Sequence, residues 1–181
     1  MATQKNTKPE GPAGHPVDTF MADHQKILHF AEELEALVRK IKQAKDFNAV
    51  AGELKQLSVV SQNLLEAEKH HVREENVLFP YLEKHGITGP PAVMWEEHTQ
   101  LRASKKKLRE LIGKSNTLSF ADFVQQLEAI VPSLAYPLQD HIEKENNILY
   151  PMAMSNFSED EWKSIKEECD ELGYCNFMPE G

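Results

Sequence analysis

The stretch KHHVREENVLFP at residues 69–80 has a second copy in the chain, QDHIEKENNILYP at residues 139–151. Superposing the two Leu-aromatic-Pro ends aligns the copies without a gap. Both copies then contain the pattern His-x-x-x-Glu, formed by His70 and Glu74 in the first and by His141 and Glu145 in the second.

A spacing of four residues is about one helical turn, so each His and its Glu project from the same face of a helix. An imidazole beside a carboxylate is a chelating pair for a transition metal. A solvated helix face is the alternative, but such a face has no reason to repeat its spacing. The repeat also selects His70 and Glu74 over the equally spaced His71 and Glu75, because Ile142 aligns with His71.

Composition limits the classes of protein to consider. The chain has 181 residues, enough for one domain, and a formal net charge of −9 without a basic stripe. Nucleic acid and membranes are therefore not expected partners, and the short run 105–107 of three lysines is interpreted as an exposed face. No apolar run approaches the roughly 20 residues of a membrane span. Cys169 and Cys175 could pair, but free thiols in a reducing cytoplasm are the expectation.

Helical periodicity predicts an all-α protein. Residues 1–14 are expected to be a disordered tail, and apolar residues then recur every three or four positions over about 16–41, 47–84, 92–112 and 119–152. We predict an up-down-up-down four-helix bundle over residues 15–155, followed by a short C-terminal helix and tail over 156–181. Gly89-Pro90-Pro91 is expected to break the chain before the third helix.

Two prolines, Pro132 and Pro137, fall inside the fourth predicted helix. Each removes a backbone donor, so we expect a bend just before His141. The alternative is a helix break that shortens the fourth helix to Leu138 onward.

Each predicted helix places one histidine on its apolar stripe. One such histidine is usually a hydrogen-bonded core residue, but four of them together with two inward glutamates indicate a metal site. Two glutamates buried without a cation cost several kcal/mol each, and a metal removes that cost. The residues predicted to bind metal are His24, His70, Glu74, His98, His141 and Glu145; no catalytic residue is assigned.

These residues carry a resemblance to a known family. Asp23-His24 with Ile27, the two His-x-x-x-Glu copies, and Glu97-His98 resemble, in this order, the haemerythrin-like, HHE-type cation-binding domain. The resemblance covers about residues 16–153 and implies a non-haem diiron centre, two Fe ions held inside a four-helix bundle with two bridging carboxylates.

Two positions depart from the oxygen-carrying haemerythrins. Met94 stands where they have a histidine, and Asn146 where they have an aspartate. The pattern is closer to the haemerythrin-like domains of iron–sulfur repair proteins and of an iron-sensing ubiquitin-ligase subunit. Met94 is expected to pack against the site rather than bind iron.

The number of ligands shapes the functional prediction. Two six-coordinate irons offer about twelve positions, and four imidazoles, two carboxylates and an oxide or hydroxide bridge leave roughly two open. Those positions suit O2, NO or peroxide. His15 is an alternative extra ligand, although a role at the helix start is favoured, and His71 could lie just outside the ligands.

Three functions compete. The first is binding or sensing of O2, NO or iron-redox state through the open diiron site. The second is a diiron enzyme that reduces O2, peroxide or NO, or iron delivery for iron–sulfur cluster repair. The third, a structural or storage bundle, is disfavoured because a structural site would be closed. No Cys cluster or flavin or haem motif supplies electrons, which favours binding or sensing with an unidentified redox or protein partner.

Overall fold

The structure, a computed structural model, describes residues 14–178, and within them every regular element is helical. The first helix is Pro16–Lys42 and the third is Gly89–Gly113. The second helix consists of four consecutive segments: Ala51–Glu66, Glu68–Arg73, Glu74–Leu78 and Phe79–Lys84. The fourth has the segments Phe120–Ile130, Pro132–Lys144, Glu145–Leu149 and Tyr150–Asn156, and the C-terminal helix is Glu159–Leu172.

Consecutive helices lie side by side. The first helix packs against the second and the fourth, and the third packs against the same two, which closes the bundle. The C-terminal helix packs across the first and second helices. The all-α, four-helix prediction with a short fifth helix is therefore confirmed.

Local chemistry sets the helix ends. Nδ1 of His15 accepts a hydrogen bond from the backbone N–H of Val17 at 3.1 Å, so His15 caps the first helix. Ser158 and Glu161 form a capping box at the C-terminal helix. The third helix begins at Gly89, before the predicted start near residue 92, because proline fits the first helical turn, where no N–H is needed.

The fourth helix continues through its first proline with an interruption of one residue. Val131 interrupts the regular helix just before Pro132, yet its N–H still donates to Leu127 and its carbonyl accepts from Leu134. Pro137 lies inside the following segment. The alternative start at Leu138 is therefore wrong, and the bend before His141 stays a prediction.

Both repeats contain one turn of π-helix directly after the His-x-x-x-Glu pattern. Phe79 N–H donates to the Glu74 carbonyl, and Tyr150 N–H donates to the Glu145 carbonyl. The next residue is proline in each copy, and proline cannot donate and crowds the carbonyl four residues earlier. A wider turn accommodates that ring, and π turns of this kind recur at functional sites.

The π turn explains a wrong prediction. The helical spacing of the fourth helix predicts that Ile148, three residues after Glu145, lies on the inward face, but it is 52% exposed, whereas Leu149 is buried. The extra residue in the turn rotates Ile148 outward. Its counterpart Val77 is buried because the C-terminal helix packs against the first π turn.

A second prediction also fails, at the lysine run. Lys105 was predicted to lie on an exposed face, but it is only 2% exposed. Lys106 and Lys107 are exposed as predicted. Lys105 falls four residues after Leu101 and three before Leu108, which is the helical spacing of a core residue.

The buried apolar side chains form two clusters separated by a polar layer. One cluster fills the half of the bundle that contains Leu34, Leu64 and Leu108. The other contains Phe20, Phe79, Met94, Tyr150 and the inner face of the C-terminal helix. The histidines and glutamates predicted to bind metal lie in the layer between these clusters.

Two remaining segments lie at the ends of the chain. The expected disordered tail, apart from Gly14, lies outside the described residues. After the C-terminal helix, Asn176 N–H donates to Glu66 and Met178 N–H donates to Asn63, so this segment lies along the second helix. Both cysteines are free. None of the described helices has the length and hydropathy needed to cross a membrane.

Candidate metal centre

The structure brings all six residues predicted to bind metal together, and each is at most 1% exposed. Their donor atoms form two overlapping groups that a metal ion could occupy. One group contains His24 and His70, the other contains His98 and His141, and both contain Glu74 and Glu145. Two histidines for each group and two shared carboxylates suit two metal ions side by side.

The two shared glutamates present their oxygens differently. Glu145 spans the groups, with Oε2 lying 3.0 Å from His24 Nε2 and Oε1 lying 2.9 Å from His141 Nε2. Glu74 places a single oxygen between the groups, because its Oε2 is 3.3 Å from His70 Nε2 and 3.4 Å from His98 Nε2.

The buried carboxylates provide a test of whether a metal fits. Both oxygens of Glu145 and Oε2 of Glu74 have no hydrogen-bond partner in the described part of the chain, since their contacts with the imidazoles lack hydrogen-bond geometry. Leaving buried carboxylate oxygens unsatisfied is costly. A cation bound among these three oxygens would satisfy all of them, so the donor set fits a metal.

The histidine rings give a second test. Nε2 of His24 lies 3.0 Å from Nε2 of His70, and Nε2 of His98 lies 3.0 Å from Nε2 of His141. Each ring directs its other nitrogen, Nδ1, to an acceptor outside the cluster, which assigns the Nδ1–H to that acceptor. The two Nε2 atoms of each pair therefore converge on one point, which a proton can occupy in the metal-free protein and where a cation would accept both lone pairs.

The outer acceptors form a circuit around the bundle. Each is adjacent in sequence to a residue predicted to bind metal but accepts from a histidine on a neighbouring helix. The Nδ1 pairs are His70 with Asp23 at 3.4 Å, His98 with Glu75 at 2.8 Å, His141 with Glu97 at 2.8 Å, and His24 with Asn146 at 2.8 Å. Such partners fix the orientation of a metal-binding imidazole and raise its basicity.

A cation supports each of the three carboxylates in this circuit. Arg73 donates to Asp23, Arg102 donates to Glu75 at 2.8 Å, and Lys144 donates to Glu97 at 2.6 Å. These contacts hold the carboxylates in place. Asn146 is the neutral exception.

The metal-free site retains its charges at neutral pH. Burial opposes protonation of His70, but Glu74, Asp23 and Glu145 together outweigh it and raise the pKa of His70 to about 9. Burial likewise opposes protonation of His98, but the surrounding glutamates raise its pKa to about 11. Burial and Glu145 oppose ionisation of Glu74, but His70 lowers the pKa of Glu74 to about 2. A metal therefore has to displace protons from imidazoles.

An aromatic ring from each repeat covers one histidine of each group. Phe79 stacks on His98, with ring centroids 5.8 Å apart, and Tyr150 stacks on His24, with centroids 5.4 Å apart. Only Tyr150 carries a hydroxyl, which donates to Glu74 Oε1 at 2.7 Å and lies 3.2 Å from His24 Nε2. Burial raises the pKa of Tyr150 well above its usual value, so it stays a hydrogen-bond donor.

His71 lies beside the site, fully buried and without a hydrogen-bond partner for Nδ1 among the described residues. It could join His98 and His141 in a third group of donors. Its ring, however, stacks on His98 with centroids 4.0 Å apart and planes 17° apart. A nitrogen lone pair lies in the plane of its imidazole ring. Because the two rings are stacked nearly in parallel, a metal in the plane of His98 lies outside the plane of His71 and cannot be bound by both rings. This geometry favours His70, and the choice stays a prediction.

The other residues considered from the sequence lie outside the ligand groups. His15 caps the first helix and stacks on Trp162 with centroids 4.3 Å apart. Met94 is buried in the apolar cluster below the polar layer. Lys105 is buried, its ammonium has no hydrogen-bond partner in the described part of the chain, and burial lowers its pKa to about 8.

Sequence reasoning missed the outer acceptors and Tyr150. A signal for the acceptors was present, because Asp23, Glu75, Glu97 and Asn146 each adjoin a residue predicted to bind metal. Such a neighbour projects toward the next helix rather than into the core. The signal for Tyr150 was its place opposite Phe79 in the repeat.

Comparison with known proteins agrees with this geometry. Residues 15–153 match the hemerythrin HHE cation binding domain family. The iron-sulfur cluster repair protein DnrN of Neisseria gonorrhoeae is 31% identical over 153 residues, covering 80% of this chain and 94% of that protein. The iron-sulfur cluster repair protein YtfE of Edwardsiella ictaluri (strain 93-146) is 29% identical over 139 residues, covering 74% of this chain. This chain spans only 62% of the length of that relative.

The family match and the buried donor groups both indicate a site that binds metal, with iron as the metal that the family implies. All four histidines and both glutamates of the two donor groups lie within the matched residues. This chain belongs to the hemerythrin HHE cation-binding family.

Proposed function

We propose that this chain is a non-haem diiron protein that supplies iron for the repair of damaged iron–sulfur clusters. The observation that carries the proposal is the pair of donor groups that share Glu74 and Glu145. Two relatives that cover most of this chain are iron-sulfur cluster repair proteins, which supports repair over the binding or sensing role favoured by sequence alone.

The protein's residues would hold two irons among nitrogen and oxygen donors. His24 and His70 hold one position, His98 and His141 hold the other, and the two glutamates lie between them. Bound iron would supply exchangeable coordination positions and a change of oxidation state. The chain's own part is to orient imidazoles through the outer acceptors and to exclude bulk water from six buried donors.

A repair role requires iron that can leave the protein. Mixed imidazole and carboxylate donors bind ferrous iron without the thiolates that would hold it more permanently, and the two cysteines lie outside both donor groups. The partner would be a protein with an incomplete or damaged iron–sulfur cluster.

Binding of a small molecule is the second candidate function. Met94 packs in the apolar cluster, and a thioether is a poor match for iron with oxygen donors, so it leaves a coordination position open. O2, NO or peroxide would fit such a position. A reversible adduct formed by the reduced protein, without transfer of iron, would favour this function.

Iron transfer tests the proposal directly. Iron-loaded protein is mixed under argon with an iron–sulfur enzyme whose cluster has been damaged by peroxide, together with sulfide and a reductant. We expect recovery of enzyme activity faster than with an equal amount of ferrous salt in the presence of a weak chelator. Metal-free protein is the matched control. Recovery no faster than with ferrous salt would contradict the proposed function.

A further inference from the structure

Each half of the metal centre takes one histidine from one copy of the sequence repeat, yet the halves differ at two places. The aromatic residue that follows the π turn is Phe79 in the first repeat and Tyr150 in the second. The residue that accepts from a metal-binding histidine is a carboxylate at three places and the amide of Asn146 at the fourth. Both differences fall on the same donor group, the one that contains His24 and His70.

The first difference removes an oxygen from that group. Glu145 presents one unpartnered oxygen to each group, but Glu74 presents only Oε2, since Oε1 accepts the Tyr150 hydrogen bond at 2.7 Å. The hydroxyl lies 3.2 Å from His24 Nε2, inside the His24 and His70 group. A metal there competes with Tyr150 for the second oxygen of Glu74, while Phe79 offers no such competition on the other side.

The second difference weakens an imidazole of the same group. A charged acceptor behind a histidine makes the ring a stronger metal ligand, and a neutral amide does so less. Asp23, Glu75 and Glu97 are charged and each is held by a cation. Asn146 accepts from His24 but carries no charge. It therefore supports the His24 ring as a metal ligand less than the three carboxylates support the other rings.

We propose that the position between His24 and His70 is the weaker of the two metal sites and gives up its iron first, because Tyr150 holds one oxygen of Glu74 and Asn146 stands behind His24. This inference rests on the proposed function only in taking iron as the metal. It assigns the transferable iron to one half of the centre and leaves the His98 and His141 half as the retained site.

The direction of the effect separates this role from a merely supporting one. If Tyr150 competes with the metal, Tyr150→Phe frees Glu74 Oε1 and slows iron loss. If Tyr150 instead supports Glu74 as a ligand, the same change speeds iron loss. Asn146→Asp adds a charged acceptor behind His24 and slows loss from the same position.

The experiment measures iron release from the ferrous-loaded full-length protein to a coloured ferrous chelator under argon. Wild-type protein should release iron in two phases of one equivalent each. In Tyr150→Phe and in Asn146→Asp the fast phase should slow by about tenfold, the scale of outer-partner effects on metal affinity. Tyr81→Phe is the matched control, because that hydroxyl donates to Glu168 at 2.7 Å, away from the centre, and its removal should change neither phase.

Single-histidine variants assign the phases. His24→Ala should lose the fast phase and retain the slow one, whereas His98→Ala should lose the slow phase. Mössbauer spectra of protein loaded with ⁵⁷Fe should show two signals, of which one disappears after brief chelation. A single release phase in wild type, or loss that is unchanged or faster in Tyr150→Phe, would overturn the inference. Two phases with no transfer to a damaged cluster would overturn only the proposed function.

Discussion

Replacement of Glu145 by glutamine tests the shared carboxylate most sharply. Its two oxygens are buried, have no hydrogen-bond partner among the described residues, and lie within 3.6 Å of three of the four histidines predicted to bind metal. Glutamine keeps the shape of the side chain but removes the charge that both metal positions share. Glu145→Gln should therefore weaken both positions at once.

The expected magnitude follows from linkage between binding and folding. A ligand at one hundred times its Kd stabilises the folded state by about 2.7 kcal/mol. If loss of the carboxylate weakens binding about 100-fold, the same free metal concentration equals Kd, and stabilisation falls to roughly 0.4 kcal/mol per metal. For a chain of this size about 1 kcal/mol corresponds to roughly 2–4 °C, so the metal-dependent rise in Tm should fall from about 5–11 °C to about 1–2 °C per metal.

The assay is thermal unfolding followed by circular dichroism, with and without a metal chelator, for wild type and variant. Comparing the metal-dependent shift within each protein removes any effect of the substitution on the metal-free fold. Glu143→Gln, an exposed change on the same helix, is the control and should behave as wild type. A full metal-dependent shift in Glu145→Gln would refute the assignment of this residue as a shared ligand.

Three further predictions use different observables. His70→Ala should lose at least one bound iron and His71→Ala should keep both, as measured by iron analysis; the reverse would mean that His71 is the ligand. The pKa values of His70 and His98 are raised to about 9 and 11, so both rings are positively charged near neutral pH in the metal-free protein. Metal binding should release about two protons from them, one from each ring. The apparent metal affinity should therefore rise as the pH is raised from 7 toward about 9. Calorimetry in buffers of different ionisation enthalpy measures the protons released on metal binding, and finding none would contradict this prediction. Lys105→Met should stabilise the fold at neutral pH by up to about 3 kcal/mol. Folding lowers the pKa of Lys105 from 10.5 to about 8, so the charged ammonium disfavours the folded state until the pH rises through that range. Urea unfolding measures the effect, and a change equal to that of the exposed control Lys106→Met would count against the prediction.

The repeat explains why so much of the site was predictable. Two copies of His-x-x-x-Glu that align without a gap select His70 over His71, which periodicity alone cannot do. The stacking of His71 on His98 agrees with that choice. Helix number and order followed from apolar spacing, because short connections favour neighbouring antiparallel helices.

The failures have physical causes that lie beyond helical periodicity. An ideal α-helix places Ile148 inward, but the π turn between Glu145 and Leu149 adds a residue to the turn and rotates Ile148 to the surface. Composition places lysine outside, yet Lys105 occupies a core position on its helix. The hydrogen bond from Tyr150 to Glu74 depends on the packing of two helices that are distant in sequence, which no local pattern encodes.

Anomalous diffraction can show whether two metal ions share Glu74 and Glu145, as we propose. Crystals of anaerobically iron-loaded protein would be measured on both sides of the iron absorption edge. We expect two anomalous peaks per chain, one between His24 and His70 and one between His98 and His141, with both glutamates between them. A single peak, or a second peak held by His71 or outside the polar layer, would contradict it.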